Sequence, residues 1–195
     1  KTHDLCEIDG CLLLNPKINL KIRDFNNYDL NGINEIMIRC INDKIMINIL
    51  GNNIDRDNFN IECDSLYIND EFVYGDEYLI DEINDLKFSI YPKSFYQVNR
   101  EGMTNIYNKA MEYAGKGKNL IDLYCGIGTI SFWLKDNFKN IIGIEINESS
   151  ILNANINKEL NNAKNIIFKL ADASIIKKYI NDIDTIVVDP PRAGL

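Results

Sequence analysis

Asn119-Leu-Ile-Asp122-Leu-Tyr-Cys-Gly126-Ile-Gly128-Thr129 reads as an apolar strand that runs into a glycine turn and out into a helix, and that succession decides the fold. Residues 119–124 are short and apolar, two glycines let the backbone bend tightly, and residues 129–135 are helical in character. Downstream the alternation repeats. Ile141–Ile146 reads as a buried strand, Leu152, Ile156 and Leu160 mark a helical stripe, and Ile166–Leu170 is a further strand. Ser174–Ile180 is a short helix, and Thr185–Asp189 is an apolar strand ending on an acid. Strands and helices alternating in this way imply an α/β fold with a parallel, doubly wound sheet. Just upstream, Met103, Ile106, Tyr107, Ala110, Met111 and Ala114 share one helical face, with Asn99 as N-cap and Gly115 as the stop.

Before Pro92 the texture differs. Ile36, Ile38 and Cys40 alternate, turn at Asn42-Asp43-Lys44, and continue as Ile45, Ile47 and Ile49, which predicts a hairpin with one apolar face. Ser65–Ile68 and Glu71–Tyr74 meet at Asn69-Asp70, and Tyr78–Ile80 and Leu86–Ile90 flank Asn84-Asp85 in the same way. Helix is expected only near Pro16–Phe25. The expected organisation is a small α/β domain with antiparallel strands over residues 1–91, followed by the doubly wound unit over residues 92–195.

The 195 residues carry 21 basic and 29 acidic side chains, a net charge of -8, so the chain does not hold nucleic acid by charge alone. With 46% hydrophobic residues it can bury a core, and no run of about 18 apolar residues marks a membrane span. The cysteines (Cys6, Cys11, Cys40, Cys63, Cys125) form an odd set without CxxC spacing, so a reduced, cytoplasmic protein is expected. Ile and Asn are used heavily throughout, as in AT-rich genomes, and asparagine-rich stretches are discounted as functional signals on that ground. Because the chain starts at Lys1 and stops just after Asp-Pro-Pro-Arg-Ala-Gly, it is expected to be a piece of something longer.

The glycine turn carries the chemistry. Glycines at the end of the first strand of such a sheet let backbone approach a ligand, and the helix that follows offers its N-terminus. Glu145 ends the next strand, where a carboxylate accepts hydrogen bonds from both ribose hydroxyls of an adenosine. Two cofactor classes fit. The dinucleotide fingerprint needs a glycine or alanine at its third small position, where this chain has Ser131, and Asp122 would repel a pyrophosphate. S-adenosylmethionine has no phosphate and carries a sulfonium and an ammonium, which an acid near the turn favours, so the methyl donor is preferred. The last strand leads into Asp189-Pro-Pro-Arg192-Ala-Gly. Its prolines fix the backbone, and Arg192 stands where methyltransferases of exocyclic amines carry an aromatic to stack the flipped base. A guanidinium suits a phosphate or a pyrimidine carbonyl, so Arg192 is a candidate substrate residue. Ser94-Phe-Tyr-Gln97-Val-Asn99, by itself, reads as a strand end with buried aromatics and a helix cap.

Four segments together, Phe88-Ser-Ile-Tyr-Pro-Lys-Ser-Phe-Tyr-Gln-Val-Asn99, Asp122-Leu-Tyr-Cys-Gly-Ile-Gly-Thr129, Ile144-Glu-Ile-Asn147 and Val188-Asp-Pro-Pro-Arg-Ala-Gly194, resemble the RNA uracil-5-methyltransferases, which make 5-methyluridine in ribosomal or transfer RNA. The resemblance is strong over the second half of the chain. In the first half, Cys11-Leu-Leu-Leu-Asn-Pro-Lys-Ile-Asn is a weaker match to the segment that carries the last cluster cysteine of iron–sulfur members. The resemblance implies a Rossmann-like class I methyltransferase sheet, of which this chain holds the first half, and S-adenosyl-L-methionine bound by Gln97, Tyr124, Glu145 and Asp189. Gly126, Gly128 and Asp172, the last near the adenine edge, are added by position.

The family chemistry uses a cysteine thiolate that adds to C6 of uracil and makes C5 nucleophilic. That cysteine lies in a Ser-Cys-Asn-Pro-like motif after Asp-Pro-Pro-Arg, beyond Leu195, so no catalytic residue is expected in this chain. The chain is expected to bind cofactor without methylating RNA. Cys125 is expected to pack as a small residue in the turn. The family's N-terminal RNA-binding barrel is not expected within these residues, and with much of the basic RNA surface expected outside them the acidic balance would follow. Cys6 and Cys11 cannot hold a cluster that needs four thiols, so no metal is expected, and His3 is given no role. Two rival readings remain: a methyltransferase for another RNA base, and a cofactor- or RNA-binding module without turnover.

Overall fold

The computed structural model describes residues 10–54, 61–97 and 99–190, so His3, Cys6 and Arg192 lie outside the described residues. The chain divides into two compact units, Lys1–Leu79 and Ile80–Leu195.

In the first unit, helix α1 (Pro16–Asp24) is capped by Asn15, whose side chain accepts from the Lys17 amide, with proline at its first position. Strands β1 (Ile33–Ile41), β2 (Lys44–Gly51), β3 (Ser65–Ile68) and β4 (Glu71–Gly75) form one sheet in the order β1-β2-β3-β4. β2 pairs antiparallel with β1 and parallel with β3, and β3 pairs antiparallel with β4. The turns fall at Asn42-Asp43 and Asn69-Asp70, all four residues at positive φ. That is the backbone of two-residue hairpin turns, and asparagine and aspartate tolerate it better than other non-glycine residues. β2 differs from expectation: residues 45–49 are all buried, not only the alternate isoleucines. Ile45, Ile47 and Ile49 pack with Phe25 and Leu66, while Met46 packs with Tyr67 on the opposite face.

β5 (Leu79–Ile83), which begins on the last residue of the first unit, forms a hairpin with β6 (Leu86–Ile90) around Asn84-Asp85. The packing boundary therefore falls near Leu79, whereas the change of texture falls at Pro92. The reason is lateral packing: Phe88 on β6 meets Phe132 with ring centroids 5.9 Å apart, and Phe132 meets Phe168 at 5.6 Å. Helix α2 (Arg100–Ala114) follows, with the Asn99 side chain accepting from the Gly102 amide and Gly115 at φ +66 donating its N–H to Met111 O. Met103 and Tyr107 form its buried face, while Ile106 is 66% exposed and stands off the predicted stripe.

Then come β7 (Gly117–Leu123), α3 (Thr129–Trp133), β8 (Phe138–Glu145), α4 (Glu148–Leu160), β9 (Ile166–Leu170), two short 3-10 turns at Ala173–Lys178 and Ile180–Asp182, and β10 (Thr185–Val188). The sheet is parallel, in the order β10-β7-β8-β9. The chain runs outward from β7 through β8 to β9 and then returns to the other side of β7 as β10. β7 and β10 thus flank the topological switch point, beyond whose carboxyl ends such sheets bind ligands. One face of the sheet lies under α3 and α4; on the other, Ile121, Leu123 and Ile144 pack with Ile175, Ile176 and Tyr179 of the 3-10 turns.

The stripe expected on α4 is wrong by about a quarter turn. Leu152 is 62% exposed, and the buried residues are Ile151, Asn153, Ala154 and Asn157. The helix turns two asparagines inward because they meet backbone and hydroxyl partners there, which an apolar face would leave unpaired.

Candidate functional site

β7 hands the chain to α3 through residues 124–128. Tyr124, Gly126 and Gly128 have φ of +61, +55 and +88, so three of five residues sit in the left-handed region. Cys125 N–H donates to Ile144 O on β8 at 3.1 Å, and Gly128 N–H returns to Cys125 O at 2.8 Å, which closes the turn. The two glycines do different work. A Cβ on Gly128 would lie 2.5 Å from Phe168 Cζ, whereas a Cβ on Gly126 would meet nothing within 4 Å. Gly128 thus lets the turn sit against the core, and Gly126 faces open space.

Glu145 ends β8 beside this turn. Its Oε2 accepts from Gly126 N–H at 3.1 Å, and its Oε1 accepts from Ile146 N–H at 2.8 Å and Asn147 N–H at 2.9 Å. A carboxylate offers about four acceptor positions, so these bonds orient Glu145 and still leave capacity for a ligand hydroxyl. Ile146, directly after it, is 66% exposed, an apolar side chain available to the flat face of a heterocycle. Sequence reasoning did not single it out, although an isoleucine just past a strand-end acid was a usable signal.

The other predicted residues stand along the same edge of the sheet. Asp172 lies just past β9, where its side chain accepts from Ser174 N–H at 2.9 Å, and Ser174 holds its carboxyl below the ordinary range. Asp189 follows β10, its N–H on Leu123 O at 3.5 Å, and its side chain is exposed. Below the turn, Asp122 is fully buried and accepts from Ser131 O–H at 2.7 Å on Oδ2, while Oδ1 has no partner. Burial pushes its carboxyl up to about 7, with Asp189 and Glu145 adding to the rise against the Ser131 bond. Carboxylates thus line the carboxyl ends of β7, β8, β9 and β10, an arrangement that draws a cation and repels a phosphate.

Gln97 is exposed, on a segment held at two points. Tyr96 O–H donates to Asp81 Oδ2 at 2.9 Å, and Arg100 pairs with Asp81 Oδ1 at 2.9 Å. Ser94 Oγ, three residues before Gln97, donates to Asn153 Oδ1 on α4 at 2.6 Å. Asn153 and Asn157 are working parts of this unit that the discount on asparagine concealed. Cys125 is buried and burial pushes its thiol well above the ordinary range, the opposite of a nucleophilic thiolate. A groove of about 580 Å³ lined by Leu86, Met111, Trp133 and Lys135 among others holds none of the predicted residues, so the site is defined by the strand ends and not by that concavity.

Residues 114–191 match the family described as "Methyltransferase domain". Among curated proteins, the chain is 36% identical over 182 residues to an uncharacterized RNA methyltransferase of Clostridium tetani, covering 91% of this chain and 39% of that protein. It is 45% identical over 128 residues to an uncharacterized RNA methyltransferase of Bacillus cereus, covering 63% of this chain and 28% of that protein. The chain thus spans well under half the length of these relatives. Among solved structures it is similar to the Pyrococcus abyssi tRNA (uracil-54, C5)-methyltransferase in complex with S-adenosyl-L-homocysteine, with a TM-score of 0.81 and 25% identity over 98% of this chain and 55% of that one. The fold is therefore the α/β fold of its methyltransferase neighbours, with a parallel sheet preceded by a mixed sheet that has two antiparallel pairs.

Proposed function

We propose that this chain is part of an RNA methyltransferase that uses S-adenosyl-L-methionine and methylates C5 of uracil. The observation that carries the cofactor is the Glu145 carboxylate clasping the Gly126 turn at the end of β8, within a sheet edge lined by acids. The residues fit this group: Glu145 retains capacity for a ribose hydroxyl, Gly126 leaves open space above the turn, and the acids suit a sulfonium and an ammonium. Glu145 would hold the ribose, Asp172 and Ile146 the adenine, and Tyr124, Gly126, Gly128, Gln97 and Asp189 the amino-acid end and the turn around it. When bound, the group supplies an electrophilic methyl. The chain's own part is to fix the donor by the ribose and keep phosphate-bearing cofactors out.

RNA as substrate draws support from the names of the relatives, and uracil C5 from the Pyrococcus abyssi neighbour together with Arg192 after the two prolines, which suits a pyrimidine carbonyl better than a stacked amine-bearing base. On this reading the first unit, Lys1–Leu79, is a small central domain and the second, Ile80–Leu195, the first half of the catalytic one, in a cytoplasmic enzyme of ribosomal or transfer RNA.

Two measurements test it. Calorimetry should show S-adenosylhomocysteine binding and no NAD binding, with Glu145→Ala weakening the former by roughly 1–3 kcal/mol, the cost of stranding hydrogen-bond partners. Equal binding of NAD refutes the methyl-donor assignment. In cells, deleting the gene should remove 5-methyluridine from a ribosomal or transfer RNA; loss of a different methylated base would keep the enzyme class and overturn the uracil assignment.

A further inference from the structure

One directed series of hydrogen bonds crosses the second unit from the Gln97 segment to the glycine turn. Tyr91 N–H donates to Ser94 Oγ at 3.0 Å, and Ser94 O–H to Asn153 Oδ1 at 2.6 Å. Asn153 Nδ2 donates to Ser89 Oγ, Ser89 O–H to Asn157 Oδ1 at 2.7 Å, and Asn157 Nδ2 to Ile127 O at 3.0 Å. Its direction is forced. Ser89 N–H, which can only donate, also reaches Asn157 Oδ1 at 2.7 Å, and Ile127 O can only accept, so the Asn157 carboxamide has one orientation. Ser89 and Asn157 are fully buried, Asn153 is 3% exposed and Ser94 6%. In such surroundings each bond polarises the next, and a broken one strands its partner.

We propose that Asn157 is a positioning residue for the cofactor turn: its Nδ2 holds the Ile127 carbonyl, and the series through Ser89, Asn153 and Ser94 ties that turn to the segment bearing Gln97. Both walls then meet the ligand already ordered, so binding does not bear the cost of arranging a turn with three residues in the left-handed region. This inference rests on the methyl-donor reading of the same turn. Asn161, the C-cap residue just past α4, supplies an internal comparison. It makes the same kind of bonds to the edge of β6, Lys87 N–H to Oδ1 at 2.8 Å and Nδ2 to Lys87 O at 2.7 Å, with no bond to residues 124–128.

The test compares Asn157→Ala with Asn161→Ala in the whole chain. Asn157→Ala should weaken S-adenosylhomocysteine binding by roughly tenfold or more and speed hydrogen exchange of the Gly126 and Gly128 amides in the free protein, while Asn161→Ala leaves both within about twofold even where it lowers the melting temperature. Asn157→Asp adds a pH-dependent signature, read over the pH range in which circular dichroism shows the variant folded. Protonated, its acid O–H can replace the Nδ2 donor; ionised, it cannot, so the ratio of variant to parent affinity should fall as pH rises. Should Asn157→Ala not fold, Ser89→Ala, which removes only the hydroxyl between the two asparagines, takes its place with a smaller change of the same sign. Equal effects of the Asn157 and Asn161 variants, or unchanged exchange at the turn, overturn the proposal. A parent that binds no S-adenosylhomocysteine would refute the methyl-donor reading instead, and the exchange measurement, which needs no ligand, would still decide whether Asn157 holds the turn.

Discussion

Gly128→Ala is expected to cost the second unit roughly 2–5 kcal/mol, a large share of the roughly 5–15 kcal/mol by which domains are ordinarily stable, while Gly126→Ala costs about 1 kcal/mol or less beyond its backbone strain. Both positions have positive φ, so each pays for the left-handed backbone. They differ in what a methyl group meets. At Gly128 it would lie 2.5 Å from Phe168 Cζ and 2.8 Å from Phe132 Cε2. Neither ring can swing away cheaply, since Phe132 is 1% exposed and lies between Phe88 and Phe168. At Gly126 nothing lies within 4 Å. If that space is where cofactor sits, Gly126→Ala should remain folded and lose affinity for S-adenosylhomocysteine, the reverse of the pattern at Gly128. Denaturant midpoints and calorimetry on the two variants separate the roles. A Gly128→Ala protein within 1 kcal/mol of the parent would mean that the turn is not packed as described.

The parts of the sequence that were legible are those where local backbone chemistry admits few alternatives. Gly126 and Gly128 read as a turn because few other residues accept their φ, and the paired Asn-Asp steps at 42–43, 69–70 and 84–85 read as hairpin turns for the same reason. Asn99 and Gly115 marked the ends of α2 because an unpaired amide at one end and a reversed φ at the other are local needs. The α4 face was not legible. Leu152 and Ile156 look more apolar than Asn153 and Asn157, yet the buried side is chosen by β6 and the turn, whose backbone groups need polar partners. Those partners lie 68 and 30 residues away in sequence, beyond the reach of any window-based pattern. The same holds for β2, where covering both faces is a decision of the neighbouring elements. The Glu145 position was read from an acid at the end of a strand, but that its carboxylate holds the turn through the Gly126 amide required the fold.

Asp122→Asn is expected to stabilise the protein by roughly 2–4 kcal/mol at pH 8 and to leave it unchanged near pH 4, since one unit of pKa displacement corresponds to about 1.4 kcal/mol. The sign follows from the direction of the shift. Burial pushes the Asp122 carboxyl from its ordinary 3.8 up to about 7, so the folded state holds the proton more tightly than the unfolded state does. Its contribution to stability is therefore fully present below about pH 4, declines as pH rises toward 7, and is absent above. Asparagine cannot ionise, its amide oxygen replaces the unpartnered Oδ1, and its Nδ2 can donate to Ser131 Oγ, so the variant should lack this decline. Subtracting its stability profile from the parent's isolates Asp122 from every other carboxylate. Profiles of equal slope between pH 4 and 7 would show that the site is better solvated than its complete burial implies. On the methyl-donor reading, the Asp122 carboxylate, buried beneath the turn, acts at a distance on the charge that distinguishes the sulfonium of S-adenosylmethionine from the neutral thioether of S-adenosylhomocysteine. Asp122→Asn should then lose more affinity for the first than for the second, and parent affinity for the sulfonium should rise as pH passes 7. Equal losses for both would assign Asp122 to the turn's geometry, through Ser131, and not to the recognition of charge.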